Sequence, residues 1–313
     1  MMKRGMLLSL IGLAASACVG SGEIAAHTGI SCSARLAAPS EVRAVMFRAA
    51  DGRAIPGEIF YPANPGRYPL VGFSHGAFSA PDRYHAMLLP LAAAGYIIIA
   101  PMHRDSEEAR VGKVSQEEVW QTRVEDLALA LSAPAEARQV LIDQGISVDD
   151  SRIFAMGHSF GALIAQLAGG AVARSPDGKL ADSSISGLDG VIAWSPPGAM
   201  PNVVAPADWA GVSVPSMALT GTSDVLAGFV DDWTWHKQSF TSMPGGSKSL
   251  WIGEGVDHYF GGSFGREKPA DENSRQMFAR ALAQVVAFLD RAADRREPCD
   301  AGPEIVGESL EHG

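Results

Sequence analysis

Arg152-Ile153-Phe154-Ala155-Met156-Gly157-His158-Ser159-Phe160-Gly161-Ala162-Leu163-Ile164-Ala165 is the stretch whose reading decides the fold. Residues 152–156 read as a buried β-strand, and from Ser159 to about Gly169 the pattern becomes helical. Between them Gly157-x-Ser159-x-Gly161 supplies a sharp turn, in which two glycines keep neighbouring atoms away from a strained serine backbone. Such a turn sets the Ser159 hydroxyl at the carboxyl edge of a sheet, with helix N-terminal N–H groups beside it. The plainer reading is a glycine-rich turn with an incidental serine. Its position between strand and helix favours catalysis.

Working outward, short β-rich runs fall at 42–47, 57–61, 70–74, 96–100, 152–156, 190–194, 213–219 and 248–252. Helical patterns fall at 82–94, 116–132, 159–169 and 272–291; in the second, Trp120, Val124, Leu127 and Leu131 repeat at helical spacing. Asp51-Gly52 marks a hairpin between the first two strands. This alternation predicts one α/β domain, a mostly parallel eight-stranded sheet with helices on both faces. Residues 195–212 are short and carry four prolines, so they build no large cap domain over the sheet. The stretch 175–187 and the tail from Glu297 read as polar loops or disordered ends.

Composition agrees with a single globular domain: 313 residues, 47% hydrophobic and 19% charged, excluding disorder, collagen and coiled coil. A net charge of −10 and a pI near 5.3 argue against a nucleic-acid partner. At the start, Lys3 and Arg4 precede an apolar run to Ala17 that is too short to cross a bilayer needing about 20 residues, which predicts an export signal. Its removal leaves a net charge of −12. Ala15-Ser16-Ala17-Cys18 offers ordinary cleavage or, as in a bacterial lipobox, lipidation of Cys18 and membrane anchoring, although Ala15 stands where that motif prefers Leu. The predicted organisation is a signal peptide at 1–17, an exported linker at 18–40, a catalytic domain at 41–295 and a polar tail at 296–313. In an oxidising periplasmic, outer-membrane or extracellular setting, Cys32 and Cys299 are expected to pair and staple the ends of the domain; the other reading is two free thiols.

A serine hydroxyl needs a base within reach and an acid to orient that base. Of eight histidines, only His236, His258 and His312 follow Ser159, as the chain order on this fold requires. His312 lies in the polar tail and His236 within Trp233-Thr234-Trp235-His236. His258 sits in a glycine-flanked loop after the last strand and is the expected base. Asp224, after Gly221-Thr222-Ser223, is the expected acid; its other reading is a helix N-cap. Asp231 and Asp232 fall on the following segment, and Asp257 points away from its neighbour. The developing oxyanion would meet the amides of Phe160 and of Ala77, the latter freed to turn inward by Gly76. Phe78, Trp194, Phe229, Trp233 and Tyr259 are candidate pocket residues, against core packing as the alternative. His75 reads as a packing residue below the site, and Arg123 as a structural ion pair with Asp105 or Asp126. His103 and Asp105 lack a third metal ligand at suitable spacing.

Tyr61-Pro62, Tyr68-Pro69-Leu70, Phe73-Ser74-His75-Gly76, Gly95-Tyr96, His103-x-Asp105-Ser106 and Gly157-His158-Ser159-Phe160-Gly161 together resemble the α/β-hydrolase superfamily. Within it, the chain is similar over about 42–292 to the branch of platelet-activating-factor acetylhydrolases and dienelactone-hydrolase-like proteins. The resemblance implies a serine esterase that uses no metal or cofactor, with Ser159, His258 and the Ala77 and Phe160 amides in the roles above. Acetylhydrolases carry the acid after the sixth strand, where Gly190 to Ser195 offers no carboxylate; Asp224 instead matches the dienelactone hydrolase position. Those enzymes use a cysteine nucleophile, so Ser159 does not imply lactone chemistry. The expected substrate is a small-molecule or lipid ester. Phospholipid or polyester hydrolysis is the alternative within enzymes, and a non-catalytic surface-anchored binding protein the alternative outside them.

Overall fold

Tyr96 to Ala100 presents no polar face, and in the computed structural model it lies inside the sheet, with every residue of its strand buried. The structure describes residues 30–109, 112–178, 180–265, 271–294 and 297–313. The signal segment and Cys18 lie outside them. The strands are β1 (Ser40–Arg48), β2 (Ala54–Pro62), β3 (Gly66–Ser74), β4 (Ile97–Pro101), β5 (Ile146–His158), β6 (Val172–Arg174), β7 (Leu180–Asp182), β8 (Gly190–Trp194), β9 (Ser216–Ser223), β10 (Lys248–Asp257) and β11 (Glu308–His312). Nine of them form one sheet in the order β1-β2-β4-β3-β5-β8-β9-β10-β11. From β4 to β10 neighbours run parallel, while β1, β2 and β11 pair antiparallel at the two edges.

The sheet thus has nine strands rather than eight, because the polar tail folds back as β11 on the outer edge of β10. Glu308 anchors it, accepting hydrogen bonds from Trp251 Nε1 at 2.9 Å and Arg280 Nη2 at 2.7 Å. An edge strand needs only one apolar flank, so Glu-Ser-Leu-Glu-His carries no strong strand signal. The stretch 175–187, expected as loop, contains β7, which pairs with β6 just before it in a small antiparallel hairpin.

The helices are α1 (Cys32–Leu36), α2 (His85–Ala93), α3 (Gln116–Leu131), α4 (Ala135–Ile142), α5 (Phe160–Ala168), α6 (Gln238–Ser242) and α7 (Glu272–Ala292). Strand side chains alternate between faces. Phe154, Met156 and Ile98 meet α2 and α7 on one side. Ala155 meets α3 and α5 on the other, where Ile97 and Ile99 also point. Between β8 and β9 a single 3₁₀ turn, Pro206–Trp209, is the only helical element, so no cap domain covers the strand ends there. No helix among the described residues is long and apolar enough to cross a membrane.

Cys32 and Cys299 form a disulfide, with Cα atoms 5.0 Å apart and a sequence separation of 267. Beside it, the buried Asp290 carboxylate on α7 accepts from Arg35 of α1, from Tyr96 Oη and from the Cys299 amide. Helix α1, the segment after α7 and the residue leading into β4 are therefore tied at one point.

Candidate active site

β5 runs directly into α5, and Ser159 is the residue between them, with φ 53° and ψ −121°. This left-handed conformation is tolerated only where nothing crowds it. A Cβ on Gly157 would lie 2.1 Å from the Gly161 carbonyl oxygen, and one on Gly161 would lie 2.0 Å from the Ser74 oxygen. Both glycines are therefore steric requirements of the turn. The Ser159 amide donates to the Trp194 carbonyl at 2.9 Å, pinning the turn to β8. Phe160 opens α5, so its N–H has no acceptor within the helix.

Asp224 follows β9 and His258 follows β10, adjacent parallel strands, which brings both to the same sheet edge. His258 Nδ1 donates to Asp224 Oδ1 at 2.7 Å, leaving Nε2 as the other ring nitrogen. The Thr220 hydroxyl donates to Asp224 Oδ2 at 2.8 Å. Burial alone would raise the Asp224 pKa, but the bonds from His236 and His258 outweigh it and hold the carboxyl well below the usual range. Asp257 instead accepts from the Tyr259 and Gly261 amides and shapes the turn after His258. Sequence reasoning ranked His236 second to His258 as the base; its Nε2 lies 2.9 Å from Asp224 Oδ1. Asp224, His236 and His258 bring donor atoms within 4.8 Å of one another, the compactness a metal ion would need. Those atoms already serve each other as hydrogen-bond partners.

On the other side, the loop after β3 is locked from below. Arg123 of α3 is fully buried; it grips Asp105 through two nitrogens at 2.9 and 2.8 Å and donates to the carbonyls of His75 at 2.6 Å and Gly76 at 3.0 Å. In a trans peptide the carbonyl and the next N–H point opposite ways. Holding Gly76 O therefore turns the Ala77 N–H away from Arg123. The guanidinium also lies 4.7 Å from the Phe160 ring centroid, so one residue braces both amide-bearing segments. Burial works against ionisation of Asp105, but Arg123 outweighs it and holds the carboxyl at about 2. Asp126, the other expected partner, pairs instead with Arg53 at 2.8 Å and His103 at 3.0 Å.

His158 of the elbow links the two sides. The Gly76 amide donates to Tyr84 Oη at 2.9 Å, Tyr84 Oη donates to His158 Nδ1 at 2.9 Å, and His158 Nε2 donates to the His258 carbonyl at 2.9 Å. Burial, and then the neighbouring His258, lowers the His158 pKa well below that of free imidazole. It is a neutral connector.

Ser159, His258, Ala77 and Phe160 all line one cavity of about 500 Å³. Of the expected aromatic residues, Phe78, Phe229 and Tyr259 line it, with Phe78 and Phe229 exposed at 62% and 60%. Trp194 does not: it is wholly buried in the core against Phe260 and Phe264, because it points to the α7 face of β8. Trp233 packs instead against the small cluster of Ala218, Phe240, Leu250 and Ile252 on the other side of its 3₁₀ turn. Trp120, Met200, Leu226 and Phe264 complete the apolar wall. Trp120 was legible as a helix-face residue, but nothing in its spacing separates a cavity wall from a core.

The chlorophyllase family model matches residues 40–204, just over half the chain, from β1 through the Ser159 elbow to beyond β8. The matched segment ends before Asp224 and His258. Among solved structures, a Klebsiella pneumoniae subsp. pneumoniae protein assigned as a dienelactone hydrolase superposes with a TM-score of 0.56 at 17% identity, covering 78% of this chain and 98% of that one. At that identity the likeness shows the fold. No curated protein matches the chain in sequence. The elbow geometry, the sheet order and the family match lead to one assignment: the chain belongs to the chlorophyllase family of α/β hydrolases.

Proposed function

We propose that the chain is an exported serine hydrolase of carboxylic esters. Ser159 Oγ attacks the ester carbonyl carbon while its proton passes to His258 Nε2, and Asp224 holds the imidazole and balances its charge. The amides of Ala77 and Phe160 receive the negative oxygen of the tetrahedral intermediate. Collapse breaks the ester C–O bond, the alcohol leaves with the proton from His258, and an acyl group remains on Ser159. Water then gives a proton to His258 as it attacks the acyl carbon, and His258 returns that proton to Ser159 Oγ as the acyl C–O bond breaks, which releases the acid and the free serine.

The observation that carries this reading is the Ser159 elbow opening into the same cavity as a His258 already oriented by Asp224. The Cys32–Cys299 disulfide supports export, since such bonds persist in oxidising compartments. Lipidation of Cys18 would add a membrane anchor. The two exposed phenylalanines at the cavity mouth favour a second reading of the substrate, an ester whose apolar part extends beyond the pocket, as in lipids or polyesters. A fluorophosphonate probe should label the folded protein at Ser159 and leave Ser159→Ala unlabelled. Hydrolysis across p-nitrophenyl esters of rising chain length, with a phospholipid, a polyester and chlorophyll, then separates the substrate readings. Folded protein that takes no label would make it a binding protein on a hydrolase fold.

A further inference from the structure

His236 has a place in the site that the proposed reaction leaves unused. It sits in the 3₁₀ turn Trp233–Lys237 and is 1% exposed. Its Nδ1 is 2.6 Å from the Pro196 carbonyl oxygen. Its Nε2 is 2.9 Å from Asp224 Oδ1 and 3.1 Å from the Asp224 carbonyl oxygen. A carbonyl oxygen only accepts, and so does a carboxylate. Asp224 is held as a carboxylate, because His258 Nδ1 donates to the same Oδ1 and the Thr220 hydroxyl to Oδ2. A neutral imidazole would have to aim one lone pair at an oxygen lone pair, at 2.6 Å on one side or 2.9 Å on the other. Two N–H groups remove both conflicts.

We infer that His236 is a resident imidazolium, a positioning residue that shares Asp224 with His258 and sets the acidic limit of hydrolysis. The inference rests on the triad proposed above. Burial disfavours the charge on His236, but its bonds to Asp224 and Pro196 outweigh that and raise its pKa. The titratable groups facing it are Asp224 from the end of β9 and His258 after β10, with His158 beyond His258. Lys237 turns outward to Glu311.

The consequence follows from charge. An ordinary triad acid faces one histidine, and its full negative charge stabilises the imidazolium formed when that histidine takes the serine proton. Here the charge of Asp224 is already balanced by His236. The ring centroids of His236 and His258 are 5.8 Å apart, so a second imidazolium at His258 is opposed. Without His236 that opposition is lost and the full charge of Asp224 faces His258 alone. At that separation, with an effective dielectric of 20–40, the opposition corresponds to about one to two pH units.

Histidine-¹⁵N NMR of the full chain tests the charge directly, with the His236 signal assigned by its loss in His236→Gln. The expected spectrum at about pH 8 has both His236 ring nitrogens protonated, where free imidazole has lost its charge; a nitrogen bearing a lone pair there overturns the inference. Kinetics test the consequence. In His236→Gln, or His236→Asn if the first folds poorly, the acid limb of kcat/KM should move up by about one to two pH units. An unmoved limb with a merely lower kcat would mean a structural role only and would also overturn it. Fluorophosphonate labelling of the same wild-type preparation keeps the failures apart. Unlabelled Ser159 sinks the esterase reading itself; labelled Ser159 with an unmoved limb sinks only the role of His236.

Discussion

Ser159 holds a backbone conformation that costs a residue with a side chain about 1–3 kcal/mol. Glycine adopts it freely but gives up some entropy on folding. Ser159→Gly should therefore gain roughly 1 kcal/mol in urea unfolding while losing all esterase activity, a separation of stability from function at one residue. Lower stability in that variant would mean that the turn is not strained. This residue was readable in the sequence because its signal is local, two glycines at fixed offsets between a strand and a helix. Asp224 and His258 were readable through chain order and loop position. The partnership of His236 with Asp224 was not, since they lie twelve positions apart across an irregular loop and the start of a 3₁₀ turn, and the spacing does not show that the chain folds back on itself there. Trp194 shows the same limit from the other side: its place at the end of β8 was clear, but which face it took depended on the strand register.

Helix α3 does more than cover the sheet. The amphipathic spacing that made it readable also placed Arg123 on its buried face, where it binds the carbonyls on either side of Gly76 and stacks on Phe160. Arg123→Lys keeps the charge but not the fork. With the Ala77 amide no longer held, kcat should fall by about 10²-fold with KM little changed, the cost typical of disturbing one oxyanion donor. A matched fall in labelling by fluorophosphonate would support this, whereas a rise in KM at constant kcat would make Arg123 a substrate-binding residue. Elements at the edges were harder to read. α4 and β11 each carry a weak pattern, and β11 is a strand only because β10 offers it an open edge.

Across the whole molecule, the Cys32–Cys299 bond closes nearly the full length of the domain, and Asp290 secures the same corner. Cys32→Ser with Cys299→Ser should cost roughly 2–5 kcal/mol, read as a lower urea midpoint, with the active site intact. Acid should weaken the fold. Burial lowers the pKa of His75, His103 and His158, so the unfolded chain binds more protons than the native one as pH falls through the normal imidazole range. Their contribution is full at higher pH and is lost from about pH 6.5 downward, approaching about 1.4 kcal/mol per pH unit for each. His236 has the opposite sign: its raised pKa gives stability below that range, which is lost as pH climbs through the raised value. Urea midpoints measured between about pH 4 and 9 should thus fall at the acid end, and a flat profile would contradict the neutral, buried state of those three rings.

The catalytic predictions all depend on one proposed chemical event at the end of β5. Mixing the protein with a slowly deacylated p-nitrophenyl ester, quenching in acid and mapping the peptides by mass spectrometry reads that event directly. The account predicts one acyl group per chain, carried on Ser159 and missing in Ser159→Ala and His258→Gln. An ester that is hydrolysed while Ser159 remains unmodified, or an acyl group found on another residue, would contradict it.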